Sequence, residues 1–115
     1  MTGDPGPDDV LTWLDGGPRP ERSVLRAAVK ESLAALVAAS PGRSVEVRIP
    51  PFGAVQCIPG PRHTRGTPPN VVESDARTWL ALAMGRLSWE DALATGNLRA
   101  SGGRSGDVAA LLPLV

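Results

Sequence analysis

The segment Arg62-His63-Thr64-Arg65-Gly66-Thr67 concentrates the side chains of this sequence that are best suited to bind an anion. Two guanidinium groups, the single histidine of the chain and two hydroxyl groups lie within these six residues. Arginine pairs with carboxylates and phosphates through two parallel hydrogen bonds, and a backbone relaxed by glycine can turn further donors toward the same anion. We therefore predict that Arg62, His63 and Arg65 bind the acidic group of a ligand.

A second interpretation of the same segment needs no ligand. Arg62 or Arg65 would be neutralised by an acidic side chain of the same chain, and the ion pair would only hold the segment in place. The candidate acids are Glu46, Glu73 and Asp75.

Covalent or metal chemistry has little support in the residue types. Cys57 lies in a strand-like pattern, where a free cysteine behaves as a small buried apolar residue. A reactive thiol would need a lowered pKa, which Arg62 or His63 would have to supply. One histidine and one cysteine cannot complete a protein metal site, so no metal and no cofactor are predicted. An enzyme that uses Cys57 and His63 is the hypothesis we rank last.

Length and charge limit the remaining possibilities. The chain has 115 residues, 42% of them hydrophobic, which fits one globular domain with a modest core. Its 12 basic and 12 acidic residues give zero formal net charge. Nucleic acid is therefore not expected as a partner, because binding to phosphates requires an excess of positive charge.

Targeting and membrane signals are not apparent in the sequence. Residues 1–9 lack the basic and apolar regions of a secretory signal, and the longest apolar run, 108–115, is too short to span a bilayer and contains a proline. These observations favour a cytoplasmic protein without integral membrane contact.

The elements that must position these residues follow from hydrophobic periodicity. Apolar residues at spacings of three and four predict a long helix over 21–39, and alternation predicts an antiparallel pair of strands over 45–49 and 54–58. A third strand is predicted at 70–74 and a fourth at 97–101. Further helices are predicted at 8–13, 75–85 and 88–96 and after Ser105, which makes the order α-α-β-β-β-α-α-β-α.

The second half of the chain carries a family pattern. Residues 74–102 read SDARTWLALAMGRLSWEDALATGNLRASG: a helix capped by aspartate, a Gly-X-Leu stop, a short helix, a Gly-X-Leu strand and a Ser-Gly stop. This pattern, followed by a leucine-rich last helix, resembles the sterol carrier protein type 2 superfamily. Residues 45–72, with PPFGAVQC and RHTRGTPPN, resemble its short actinobacterial "sterol carrier" branch.

The resemblance implies an α+β fold in which a small, mostly antiparallel sheet of four to five strands packs against helices on one side. It also implies an apolar tunnel for acyl chains, sterols or acyl-CoA. We divide the chain into a flexible N-terminal segment with a short helix, residues 1–19, and a single domain, residues 20–115.

Our leading hypothesis is a non-catalytic protein that binds a small amphipathic ligand. The acidic head would lie at Arg62, His63 and Arg65, and the apolar body in a crevice between helices and sheet. The residues predicted to line the crevice are Val47, Ile49, Val55, Val72, Trp79 and Leu82. The alternative is a fully packed interaction or accessory module that docks a partner, or a second copy in a homodimer, through residues 59–69.

Overall fold

The computed structural model describes residues 7–60 and 70–114. Nine elements follow one another in the order expected from the sequence. They are α1 (Pro7–Leu14), α2 (Arg22–Ala39), β1 (Val45–Ile49), β2 (Gly53–Cys57), β3 (Val71–Ser74), α3 (Ala76–Ala83), α4 (Trp89–Thr95), β4 (Leu98–Ser101) and a 3₁₀ helix (Ser105–Leu111).

The four described strands form one mixed sheet in the order β2-β1-β3-β4. β1 pairs antiparallel with β2, and β3 pairs antiparallel with β4, while the central pair, β1 and β3, is parallel. The α+β class and the mostly antiparallel sheet predicted from the sequence are confirmed, with four strands.

Strand β1 shows why the sheet has one apolar face. Val45, Val47 and Ile49 alternate along it and are fully buried. Glu46 and Arg48 point to the opposite face, where their side chains form an ion pair at 2.7 Å. Because side chains alternate across a strand, this pattern places the helices on one face and leaves charged residues on the other.

The end of β2 lies one residue earlier than the sequence predicts. Ile58 adopts a positive φ of 69°, a conformation that β-branched residues rarely take and that is incompatible with a strand. Its backbone N–H instead donates to the carbonyl of Ser40 at 2.7 Å. Ile58 therefore turns the chain away from the sheet immediately after Cys57.

Helix α2 packs through the predicted apolar face: Leu25, Val29, Leu33 and Leu36 are all buried. Its alanine-rich side carries slim side chains that would allow close packing or a groove if it faced the sheet. The structure instead exposes most of that side, since Ala27, Ala34 and Ala35 are in contact with solvent. The larger leucine and valine side chains make the contact with the core.

Helix α3 contributes the largest buried side chain. Trp79 is fully buried, and its indole N–H donates a 2.8 Å hydrogen bond to the hydroxyl of Ser32 on α2. The helix begins at Asp75, whose carboxylate accepts from the backbone N–H of Thr78. Trp79 thus fixes α3 against α2 with both packing and a polar contact.

The last helix is a 3₁₀ helix rather than the ordinary helix implied by the leucine-rich pattern. Bonds from the N–H of Asp107 to the carbonyl of Arg104, and from Leu112 to Ala109, have the i→i+3 spacing of that helix. Pro113, which has no backbone N–H to donate, follows the segment and ends it.

Helix α1 packs beside α2 and α3, and its Val10 is fully buried. The guanidinium of Arg77 on α3 lies 4.8 Å from the ring centre of Trp13 and donates to the carbonyl of Leu14. Among the described residues, no helix has the length and hydropathy required to cross a bilayer.

We expect Trp79→Ala to lower the free energy of unfolding by about 3–5 kcal/mol, because it leaves a large cavity and removes the partner of Ser32. Trp89→Ala is the matched control: Trp89 is only partly buried, so less than half of that loss is expected. Urea unfolding followed by circular dichroism measures both. Equal losses in the two variants would contradict the central place of Trp79 in the core.

Candidate ligand-binding site

The sheet topology brings both ends of the 61–69 segment to one end of the sheet. β1 and β3 start at this end because they are parallel, and β2 finishes there because it is antiparallel to β1. Ile58 and Asn70, which flank the segment, therefore lie beside Ser44, just before β1. We call the region that contains Ser44, Ile58, Asn70 and Arg104 the loop end of the sheet.

Ser44 fixes the chain just after β2 at the loop end. It is 3% exposed, and both its backbone N–H and its hydroxyl donate to the carbonyl of Ile58, at 3.1 and 2.6 Å. The carbonyl of Ile58 is thereby satisfied without a strand partner. Gly42 approaches so closely that a Cβ there would collide with the same carbonyl.

Asn70 fixes the chain just before β3 at the loop end. It is 7% exposed; its side-chain amide donates to the carbonyl of Ser44 at 2.8 Å, and its side-chain oxygen accepts from the backbone N–H of Arg104 at 2.9 Å. One buried side chain thus joins the start of β1, the start of β3 and the segment after β4. Buried amides are commonly satisfied in this way, and the bonds fix the backbone on both sides.

The described charges at the loop end are mainly positive. Arg43 precedes Ser44 and is exposed, and the guanidinium of Arg104 lies so close to Gly60 that a Cβ there would collide with it. Asp107 lies 3.5 Å from Arg104. The predicted anion-binding residues Arg62, His63 and Arg65 lie outside the described residues; Gly60 and Asn70, on either side of them in the sequence, lie at this end.

The acids proposed as intrachain partners for these arginines have other contacts. Glu46 pairs with Arg48, and Glu73 pairs with Arg99 on β4 at 3.1 Å. The carboxylate of Asp75 caps α3, about 16 Å of extended chain beyond Asn70.

The six residues predicted to line a crevice come together in one layer between the helices and the sheet. Val47 faces Val55 on one side and Val72 on the other. Trp79 and Leu82 close the layer from α3, and both are buried. These side chains share the apolar face of the sheet, but their arrangement alone does not test their predicted contact with a ligand.

Val55 differs from the other five because it is only partly buried. It lies on β2, an edge strand, three positions before Ile58 at the loop end. The apolar layer therefore approaches solvent along the strand that leads into the 61–69 segment.

Cys57 is fully buried, and burial raises the pKa of its thiol from 9.0 to about 11. This shift is opposite to the one that a reactive thiol requires. The described residues contain no cluster of three histidine, cysteine or acidic side chains able to hold a metal ion.

A second feature was not predicted from the sequence. A groove of about 520 Å³ lies between the α3–α4 turn and the C-terminal segment. It is lined by Leu82, Gly85, Arg86, Leu87, Ser88, Trp89, Glu90, Asp91, Ala109, Leu112 and Pro113. The cap at Ser88 predicted the turn, but the groove depends on the docking of the tail, where the N–H of Leu114 donates to the carbonyl of Ala83 at 2.8 Å.

Comparison with known proteins identifies the family. Residues 21–114 match the family model described as bacterial SCP ortholog, SCP being sterol carrier protein. Because the match covers most of the chain, the protein belongs to this bacterial SCP family. No curated protein matches the chain. Helix α1 lies before the matched residues.

We expect Asn70→Ala to destabilise the protein by about 2–4 kcal/mol, since it leaves the buried carbonyl of Ser44 and the partly buried N–H of Arg104 without their partner. Asn97→Ala, at an exposed position of the same residue type, is the control and should change stability little. Thermal and urea unfolding provide the comparison. An Asn70→Ala protein as stable as the control would show that the side chain does not hold the loop end.

The raised pKa of Cys57 predicts a loss of stability at alkaline pH. The folded state favours the neutral thiol, so its contribution is complete below pH 9 and is lost as the pH rises toward 11. By pH 10 the loss should reach about 1.4 kcal/mol relative to Cys57→Ala. Urea unfolding of both proteins at pH 7 to 10 tests this prediction, and parallel pH profiles would contradict it.

Proposed function

We propose that this bacterial SCP family protein binds a small amphipathic ligand with an acidic head, of the acyl-chain, sterol or acyl-CoA type. The head would bind Arg62, His63 and Arg65 at the loop end of the sheet. The apolar body would occupy the layer lined by Val47, Ile49, Val55, Val72, Trp79 and Leu82. The proposal assigns no catalytic step to the protein.

The observation that carries this proposal is the course of β2. Val55, the partly buried member of the apolar layer, and the 61–69 segment belong to one continuous stretch of chain. A ligand that enters beside Val55 would keep its head near the arginine-rich segment, which is the arrangement that an amphipathic molecule requires.

Electrostatics supports the same location. The acids that could neutralise Arg62 or Arg65 are paired with Arg48 and Arg99 or used as a helix cap. Arg43 and Arg104 add positive charge at the loop end, with Asp107 beside Arg104. An incoming carboxylate or phosphate would therefore meet an electropositive surface, and arginine would bind it with bidentate hydrogen bonds.

The hydrophobic contribution would come from burial of the ligand body at about 25 cal/mol per Å² of apolar surface. Val47, Ile49, Val72 and Trp79 are fully buried without a ligand. The ligand would thus have to separate α2 from the sheet along β2, and the cost of that separation would limit affinity. The arginines would then fix the orientation of the ligand and contribute to its affinity.

The burial of these residues without a ligand also favours a second candidate function. If the apolar layer does not open, the protein is an interaction module whose residues 59–69 dock a partner or a second copy. This alternative predicts no ligand in the layer, and a mass in light scattering that rises with concentration and falls when the segment is shortened.

The proposal is tested by displacement of a fluorescent fatty acid. We expect the wild-type protein to bind it and the Arg62→Ala/Arg65→Ala variant to lose about tenfold or more in affinity, since each charge-assisted hydrogen bond contributes about 1.5–3 kcal/mol. Arg26→Ala, at an exposed position on α2, should bind like the wild type. Equal affinity in all three proteins would contradict the arginine site, and no binding by the wild type would leave the interaction module.

A further inference from the structure

The groove between the α3–α4 turn and the C-terminal segment combines an apolar floor with an acidic rim. Leu87 and Leu112, both only partly buried, provide apolar surface, and Glu90 and Asp91 line the same groove. Its volume of about 520 Å³ lies in the usual range for small-molecule sites, roughly 300–1,000 Å³. The volume of the groove alone does not indicate which ligand it binds, but the charges of its lining residues do.

The positive charge of the groove is already neutralised. Arg86 lines the groove, and its Nε donates to the carboxylate of Asp15, just after α1, at 3.2 Å. Within residues 8–60 and 70–114, no basic side chain forms an ion pair with Glu90 or Asp91. Two carboxylates are therefore left to face a ligand.

The start of α4 does not cancel this negative charge. Ser88 caps the helix, and the partial positive charge of a helix N-terminus is at most about half a unit. The carboxylates of Glu90 and Asp91 interact favourably with this partial positive charge, which accounts for part of their role. Their combined negative charge is nevertheless larger than the partial positive charge of the terminus. The groove as a whole therefore repels anions and attracts cations.

Trp89 provides the aromatic surface of the groove. It lines the groove and is only partly buried, so part of its ring surface is accessible there. An organic cation close to an indole ring is attracted by the electron-rich face, and aromatic sites commonly recognise quaternary ammonium groups in this way. Apolar floor, aromatic wall and carboxylates together form a surface that is complementary to one kind of molecule.

We propose that this groove binds a small amphipathic cation, with its ammonium group near Trp89, Glu90 and Asp91 and its apolar part on Leu87 and Leu112. This site is separate from the loop end and takes ligands of the opposite charge. It therefore goes beyond the proposed function and does not depend on it.

The test uses three probes with the same six-carbon chain: hexyltrimethylammonium, 1-hexanol and hexanoate. Titrations are followed by NMR at the indole N–H of Trp89, assigned with Trp89→Phe. We expect hexyltrimethylammonium to bind most tightly and hexanoate most weakly, and we expect added salt to weaken only the cation. Equal affinity for all three probes, or no response at Trp89, would overturn the proposal.

Charge-neutralising variants identify the source of selectivity. Glu90→Gln and Asp91→Asn should each weaken hexyltrimethylammonium about fivefold, the effect of one unit charge about 4 Å away in water. Glu31→Gln, on the exposed side of α2, is the matched control and should bind like the wild type. If both groove variants bind like this control, the carboxylates do not select the cation and the proposal fails.

The pair between Arg86 and Asp15 gives an independent check in the opposite direction. Arg86→Gln removes a positive charge from the groove, so binding of hexyltrimethylammonium should become tighter. Asp15→Asn leaves Arg86 without its partner, so binding should become weaker. Circular dichroism confirms that each variant is folded, and unchanged affinity in both folded variants would contradict the electrostatic argument.

Discussion

The parallel pairing of β1 with β3 is the constraint on which the rest of this structure depends. It forces the chain to return from β2 to the same end of the sheet at which β1 began. Asn70 and Ser44 then fix that return with buried hydrogen bonds. The residues on either side of the arginine- and proline-rich segment 61–69 are therefore held at one defined end of the sheet.

Positive and negative charges lie on different surfaces of the molecule, although they sum to zero. Its net charge is zero, yet the outer face of the sheet holds paired ions, the loop end is mainly basic, and the groove beside α4 is acidic. Exposed ion pairs contribute little stability, so their main effect here is that the paired side chains are less available to a ligand than the unpaired ones. Membership of the bacterial SCP family suggests a binding role, and this distribution indicates which chemical groups each surface favours.

Local periodicity was sufficient to predict most of the elements. Alternation at 45–49 gave β1 and the identity of its buried face, and the spacing of Leu25, Val29, Leu33 and Leu36 gave α2. These features depend on neighbouring residues, which a single sequence displays directly.

Features that depend on distant contacts could not be predicted. The bond from Asn70 to Ser44 joins residues 26 positions apart, and the groove needs the tail to dock on α3. The alanine-rich side of α2 faces solvent because larger residues a few positions away compete for the core. The ligand contacts of Val47, Ile49, Val55, Val72, Trp79 and Leu82 remain a prediction, as do those of Arg62, His63 and Arg65, which lie outside the described residues.

The central claim is that a single ligand joins the apolar layer to the basic end of the sheet. Isotope-filtered NOE spectroscopy of the labelled protein with an unlabelled fatty acid tests it most directly. The account predicts NOEs from the acyl chain to the methyl groups of Val55 and Val47, together with a shift of the Arg104 guanidinium signal. NOEs confined to outward-facing side chains such as Ala54 and Gln56, with Arg104 unchanged, would contradict it.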